Sequence, residues 1–300
     1  MKSCFVFSVD DSFIVPFEVT LFSLVKHNPW VVNVPLFVIF DAETLNERNR
    51  LHLREKVSAK YGNACTLIDC SGYLPPNLGI FNYQHVSKAT FFRLLISSML
   101  DETFGQAVYL DSDILVVGDI SYLYQNDFSG PIAAVKNYAP SEEIRLFGDS
   151  GGSYFNAGIT VFNLELIREQ KLQMAYMDLI QSQPEKLLCW DQDVLNLIHR
   201  DQWIQLPWYF NVTRHMMESF RIINLNFYHK LNQSNIRIIH FDGPSKPWET
   251  LSDRDFSSIW RSYYAQLYGE KHKSSLYTYI FVRFILRLKK NFARFKRDLK

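Results

Sequence analysis

Cysteine is scarce and never paired: Cys4, Cys65, Cys70 and Cys189 are the only four in 300 residues. None forms Cys-x-x-Cys, which argues against a structural zinc site. Their irregular spacing suits a reducing compartment. Long apolar runs are also missing. The stretch 5–9 stops at Asp10-Asp11, as a first strand would and a signal peptide would not. No stretch has the length needed to span a bilayer. There is no Gly-x-x-x-x-Gly-Lys-Ser/Thr, no Gly-x-Gly-x-x-Gly and no Gly-x-Ser-x-Gly, so neither a P-loop, a dinucleotide fingerprint nor a nucleophile elbow is present. Repeats and low-complexity segments are absent. Asn211-Val212-Thr213 matches a glycosylation sequon, which carries no weight without secretion.

What is present is enough apolar material, 47% of residues, for one large α/β domain or one with a small appendage. The net charge of +1 conceals an asymmetry: residues 271–300 hold ten Lys and Arg and one acid, leaving 22 basic against 30 acidic residues in 1–270. A basic tail on an acidic body points to an anionic surface, membrane or nucleic acid.

Short apolar runs ending in acids recur along the chain. Strands are expected at 4–9, 36–40, 66–68 and 107–110, each followed by Asp: Asp10, Asp41, Asp69 and Asp111. Helical patterns lie at 16–26, 46–60 and 88–100. This rhythm is that of βαβ units and a mostly parallel sheet. Further strands are expected at 114–117, 132–135, 159–162 and 237–239, and helices at 121–124, 164–182, 194–199 and 250–268. Residues 73–83 read as a loop, and 146–153, with Gly148, Gly151 and Gly152, as a mobile surface loop. The expected domain division is 1–269 for the body and 270–300 for the tail.

The central stretch is Val108-Tyr109-Leu110-Asp111-Ser112-Asp113, a buried strand running out into two carboxylates two residues apart. Ligands of open α/β sheets sit beyond the carboxyl ends of the strands. Two aspartates at this spacing can share a hard cation, which can hold a diphosphate; the plain alternative is a solvated turn. Asp41 and Asp69 read as helix caps, and Asp10 as a ligand contact. His240 ends a strand and is followed by Gly243, which lets backbone approach a phosphate, and Lys246, which would neutralise one. A turn closed by Pro244 and Pro247 is the alternative. Asp191-Gln192-Asp193 reads as a helix N-terminus, with sugar binding as its rival. A phosphatase of the haloacid-dehalogenase type also ends a strand in Asp-x-Asp, but it wants Thr or Val where Leu115 stands.

Six segments in order resemble glycosyltransferase family 8, whose retaining enzymes include bacterial lipopolysaccharide hexosyltransferases. They are Phe7-Ser8-Val9-Asp10-Asp11, His85-Val86-Ser87 with Arg93-Leu94, Tyr109 to Asp113, Tyr154-Phe155-Asn156-Ala157-Gly158, Asp191-Gln192-Asp193, and His240 to Trp248. The resemblance implies a GT-A fold: a Rossmann-like, mixed but mostly parallel sheet flanked by helices. It implies that Asp111, Asp113 and His240 hold Mn2+, with Mg2+ as the alternative, against the diphosphate of UDP-galactose or UDP-glucose. Asp10, Phe13, His85, Val86 and Ser112 would border the nucleotide. Arg93, Asn156 and Asp191 would hold the sugar, Gly243 and Lys246 would close over the diphosphate, and Gln192, with Asp191 the expected catalytic pair, would lie near the anomeric carbon. Ser12 and Phe13 stand where relatives often have Asn and Tyr, and Lys136-Asn137 where relatives can carry an acid near the sugar.

The acceptor expected is a cell-surface glycan or glycolipid such as lipopolysaccharide. The alternatives are protein-glycan transfer within the same family and a non-catalytic nucleotide-sugar-binding relative. In the tail, Phe281, Phe284, Leu288, Phe292, Phe295 and Leu299 recur at helical spacing among basic residues. That composition suits an interfacial helix on anionic lipid, hence a cytoplasmic protein peripheral on the inner face of the membrane. No recognition module for nucleic acid accompanies it.

Overall fold

The computed structural model describes residues 2–57, 65–74, 88–137, 140–148, 151–200, 202–213, 216, 235–243, 246–249 and 257–270. The expected loop at 73–83 lies almost wholly outside them, as do His85, Val86 and the tail 271–300. The chain divides into two compact units, Met1–His240 and Phe241–Lys300.

The first unit is built on a seven-stranded sheet in the order β3-β2-β1-β4-β7-β6-β8. The strands are β1 (Lys2–Ser8), β2 (Leu36–Phe40), β3 (Cys65–Asp69), β4 (Phe104–Leu110), β6 (Ile132–Lys136), β7 (Phe155–Asn163) and β8 (Trp203–Leu206). Only β7 runs against its neighbours; β3, β2, β1 and β4 pair in parallel, as do β6 and β8. The expected mostly parallel α/β sheet is therefore present. Every residue of β4 is buried, the mark of a strand covered on both faces. β3 lies at the sheet edge and is largely uncovered. A second sheet, in the order β5-β10-β9, is formed by β5 (Ile114–Val116), β9 (Val212–Thr213) and β10 (Ile238–His240). The expected strand 114–117 thus does not extend the main sheet but starts another.

Several helices depart from the expected pattern. Helix α1 (Ile14–His27) and α2 (Glu47–His52) match, although α2 gives way to a π turn at Leu53–Val57. The segment 88–100 is a 3-10 turn, Lys88–Leu95, followed by a short α3 (Ile96–Met99). Phe91 to Ser97 are all buried, so no polar face imposes the α period there. The helix expected at 164–182 is two helices, α6 (Leu164–Glu169) and α7 (Leu172–Ser182). They break at Lys171, which takes a left-handed φ of 54°. Helix α4 (Ser121–Gln125) was expected, whereas α5 (Pro140–Phe147) was not and takes up the start of the expected loop 146–153. Gly148 and Gly151 then turn with φ of 60° and 68°. Helix α8 (Trp190–Ile198) begins four residues earlier than expected and places Asp191-Gln192-Asp193 in its first turn.

The second unit contains α9 (Ser257–Tyr268). Trp260, Tyr264 and Tyr268, four residues apart, stack along one face, and Trp248 packs on Trp260 at 5.3 Å between ring centres.

Candidate metal and nucleotide-sugar site

Parallel pairing of β1 with β4 brings their carboxyl ends, and so Asp10 and Asp111, to one edge of the sheet. Because β7 runs the other way, its beginning lies at that same edge: the Asp111 N–H donates to the Gly158 carbonyl at 2.8 Å. β10 pairs antiparallel with β5 in a register that sets His240 opposite Ile114, beside Asp113. Distant parts of the chain therefore converge. One ligand atom from each of Asp111, Asp113 and His240 lies within 4.8 Å of the others. His240 Nε2 is 3.6 Å from Asp111 Oδ2 and 3.3 Å from Asp113 Oδ1.

The side chains behind His240 determine which ring nitrogen faces the aspartates. The Gly158 backbone N–H donates to Asn156 Oδ1 at 2.9 Å, so that atom is an oxygen. Asn211 Nδ2 donates to the same oxygen at 2.8 Å, which turns Asn211 Oδ1 toward His240 Nδ1 at 3.0 Å. An amide oxygen only accepts, so Nδ1 carries the proton and Nε2 presents its lone pair to the aspartate side. Two carboxylate oxygens and an imidazole lone pair suit a divalent cation such as Mn2+, with the asparagine pair as the support that metal-bound histidines commonly have. The room is tight. A Cβ on Gly158 would overlap the His240 ring and lie 2.7 Å from Asp111 Oδ2. Gly158 and Asn211 were not singled out from the sequence; Asn211 drew notice only as a sequon, and Gly158 only as the last residue of a motif.

Arg93 ties the metal pocket to Asp191. Its guanidinium donates to Asp111 Oδ1 at 2.7 Å and to the Ala157 carbonyl at 2.6 Å, and its Nε lies 2.8 Å from Asp191 Oδ2. It also covers the Tyr109 ring at 4.3 Å, whose hydroxyl donates to Asp111 Oδ1 at 2.9 Å. Burial opposes the Arg93 charge, but Asp111 and Asp191 outweigh it and its pKa is raised. Burial pushes the Asp191 carboxyl up to about 7, with Arg93 pulling the other way. Asp191 lies in the first turn of α8, as the helix N-terminus reading has it, and is there a buried ion-pair partner of Arg93. Asp193 does act on the helix start, accepting the Cys189 N–H at 2.8 Å.

Gln192 Oε1 accepts the Ala157 N–H at 2.9 Å, so the carboxamide is held against the residue whose carbonyl takes Arg93. Asp10 Oδ1 caps the 3-10 turn Asp11–Phe13 through the N–H groups of Ser12 and Phe13. Phe13 ends that turn. The Ser112 hydroxyl donates to the Ser8 carbonyl at 2.8 Å, locking the two strand ends together. Asp41 and Asp69, expected as helix caps, instead accept N–H groups two residues on, from Glu43 and Ser71, as side-chain turns do. In the second unit, Gly243 takes a φ of 75°, and Lys246 Nζ donates to the Phe241 carbonyl at 2.9 Å.

A mostly parallel sheet with a carboxylate pair beyond its central strand, completed by a histidine from a second sheet, has the architecture of the GT-A fold. The Glycosyl transferase family 8 profile matches residues 4–252, and the chain belongs to that family. The chain is 31% identical over 176 residues to general stress protein A of Bacillus subtilis (strain 168), a match covering 56% of this chain and 61% of that protein. It is 30% identical over 167 residues to a lipopolysaccharide 1,2-glucosyltransferase of Escherichia coli (strain K12), covering 54% and 49%. The matched segments thus span about half to three-fifths of those relatives. Among solved structures, the galactosyltransferase LgtC in complex with donor and acceptor sugar analogs superimposes with a TM-score of 0.73 at 20% identity, covering 88% of this chain and 96% of that one. That likeness shows the shared fold.

Proposed function

We propose that this chain is a metal-dependent, retaining hexosyltransferase that moves galactose or glucose from a UDP-sugar to a cell-surface glycan or glycolipid. The convergence of Asp111, Asp113 and His240 on one small volume carries the reading. Family membership and the lipopolysaccharide glucosyltransferase relative support it. Mn2+ is the ion that these ligands would hold; when bound, it supplies Lewis-acid stabilisation of the departing diphosphate, worth several kcal/mol. The remaining roles fall to side chains. Lys246, by its place in the family motif, adds a fixed positive charge for the diphosphate. Gly243, Asp10, Phe13, His85, Val86 and Ser112 border the nucleotide. Asp191, Asn156 and Arg93 orient the sugar, with Arg93 also keeping Asp111 and Asp191 in place.

Retention in glycosidases uses a carboxylate nucleophile on the far face of the sugar. The residue that the family resemblance offers for that position is Gln192, and an amide is a poor nucleophile. Attack on the face from which UDP departs, with the diphosphate accepting the acceptor's proton, therefore fits better, and Gln192 stabilises the cationic sugar. A non-catalytic relative is the other reading; the complete ligand triad argues against it.

The test is a donor-hydrolysis panel of UDP-glucose, UDP-galactose and UDP-N-acetylhexosamines, with and without Mn2+. Hydrolysis of one UDP-hexose that stops with chelator is the expected result. Turnover undiminished by chelator overturns the metal reading.

A further inference from the structure

We infer that Tyr154, held by Asp193 and Arg145, is a positioning residue that tethers the Nε2 end of the Gln192 carboxamide and, with the Ala157 N–H, holds that amide still beside the reacting sugar. This rests on Gln192 acting at the anomeric centre, as proposed above.

A carboxamide can usually turn over and exchange its oxygen for its nitrogen, but here both ends are determined. Gln192 Oε1 receives the Ala157 N–H at 2.9 Å, and a backbone N–H can only donate. Gln192 Nε2 donates to the Tyr154 hydroxyl at 3.0 Å. That hydroxyl could in principle donate back, but its own proton goes to Asp193 Oδ1 at 2.7 Å. Asp193 is wholly buried, and Arg145 contacts both its carboxylate oxygens at 2.8 Å. The Cys189 N–H, at 2.8 Å from Oδ2, completes its surroundings. The phenol oxygen is left as the acceptor that Gln192 Nε2 meets.

The elements explain how this arises. Tyr154 immediately precedes β7, Asp193 and Gln192 share the first turn of α8, and Arg145 lies on α5. Trp190, just before Asp191, holds a left-handed φ of 48°, a conformation uncommon for a bulky side chain. The chain is bent there into the turn that points Gln192 and Asp193 toward Tyr154. One lone pair on Oε1 and one hydrogen on Nε2 remain for the sugar. Turning the amide over would set Nε2 against the Ala157 N–H, so Ala157 keeps the oxygen end in place, and losing Tyr154 leaves the Nε2 end untethered without deleting the amide.

Steady-state kinetics of Tyr154→Phe, Gln192→Ala and the double variant test this, each checked for an intact thermal transition. Tyr154→Phe keeps the ring and its packing. The expected result is a fall in kcat of about 10- to 100-fold, the scale of a small misplacement, with the donor KM within about threefold. In the Gln192→Ala background the same substitution should cost nothing further, because the group it orients is gone. Should Tyr154→Phe not fold, Asp193→Asn serves instead. An amide there can donate to the phenol oxygen and free its proton, so kcat should fall in the same way. Unchanged kcat in a folded Tyr154→Phe or Asp193→Asn, alongside slow Gln192→Ala, overturns the positioning role and leaves the proposed function standing. So does a full additional loss in the double variant. Undiminished turnover in Gln192→Ala itself overturns the role proposed for the amide, and this inference with it.

Discussion

Gly158 and Asn211 show how much of the candidate metal site lies outside its would-be ligands. Replacing Gly158 with alanine puts a methyl group into the His240 ring and against Asp111. Both neighbours are held by hydrogen bonds that leave little slack: His240 by Asn211, Asp111 by Arg93 and Tyr109. Gly158→Ala should therefore lower Mn2+ affinity at least as far as losing a supporting group does, about 10- to 100-fold, while the far-UV circular dichroism spectrum is unchanged. Unaltered affinity by calorimetry would show that the pocket is looser than its contacts imply. Asn211→Ala keeps all three ligands but removes the oxygen that receives the His240 Nδ1 proton. A drop in Mn2+ affinity of about 10- to 100-fold is expected, together with mixed ring tautomers in nitrogen NMR of His240; a single tautomer and full affinity would refute the support role. The candidate ligands Asp111, Asp113 and His240 stood out in the sequence because two sit two residues apart at a strand end and the third ends another strand. Asn211 was not, because its partners Asn156 and His240 lie 55 and 29 residues away and only the folded chain joins them.

At the level of elements, α7 and α8 are joined by a buried pair whose chemistry depends on pH. The Tyr176 hydroxyl meets His199 Nε2 at 2.6 Å. Burial lowers the His199 pKa from 6.5 to about 4, and its Nδ1 has no hydrogen-bond partner among the described residues. A buried imidazole that resists protonation favours the folded state as long as it is neutral. Its contribution is complete above pH 6.5 and is lost as the pH falls toward 4, on the order of 3 kcal/mol across that window. Urea midpoints should fall between pH 7 and 5 more steeply in the natural chain than in the double variant His199→Leu with Tyr176→Phe. The double change removes both polar groups and leaves neither orphaned. Equal slopes would place the acid sensitivity elsewhere. The sequence showed β1, β2, β3, the end of β4 and α1 closely, because their apolar runs are bounded by acids or a proline. It did not show the break at Lys171, where nothing but a left-handed backbone marks the end of α6, nor β8, whose pattern is mostly half-exposed. It placed the start of α8 too late, because acids in a first turn read as a cap before a helix rather than as part of one.

Across the whole molecule, charge is divided unevenly. Residues 1–270 carry a net charge of −8, whereas 271–300 carry ten basic residues and one acid. No helix among the described residues is long and apolar enough to cross a membrane. An acidic body is repelled by an anionic bilayer; the tail, with aromatic and leucine residues at helical spacing between its charges, is not. Each Lys or Arg near such a surface adds about 1 kcal/mol, and the apolar stripe adds insertion energy that salt does not screen. The full chain should sediment with phosphatidylglycerol vesicles, only partly released by 0.5 M salt, and should ignore phosphatidylcholine vesicles. Deleting 271–300 should abolish sedimentation, leave the melting temperature unaltered and leave transfer to a small free sugar acceptor intact. If the deletion instead lowers the melting temperature and the natural chain never sediments, the tail packs on the protein. The apolar stripe then covers the fold rather than the membrane.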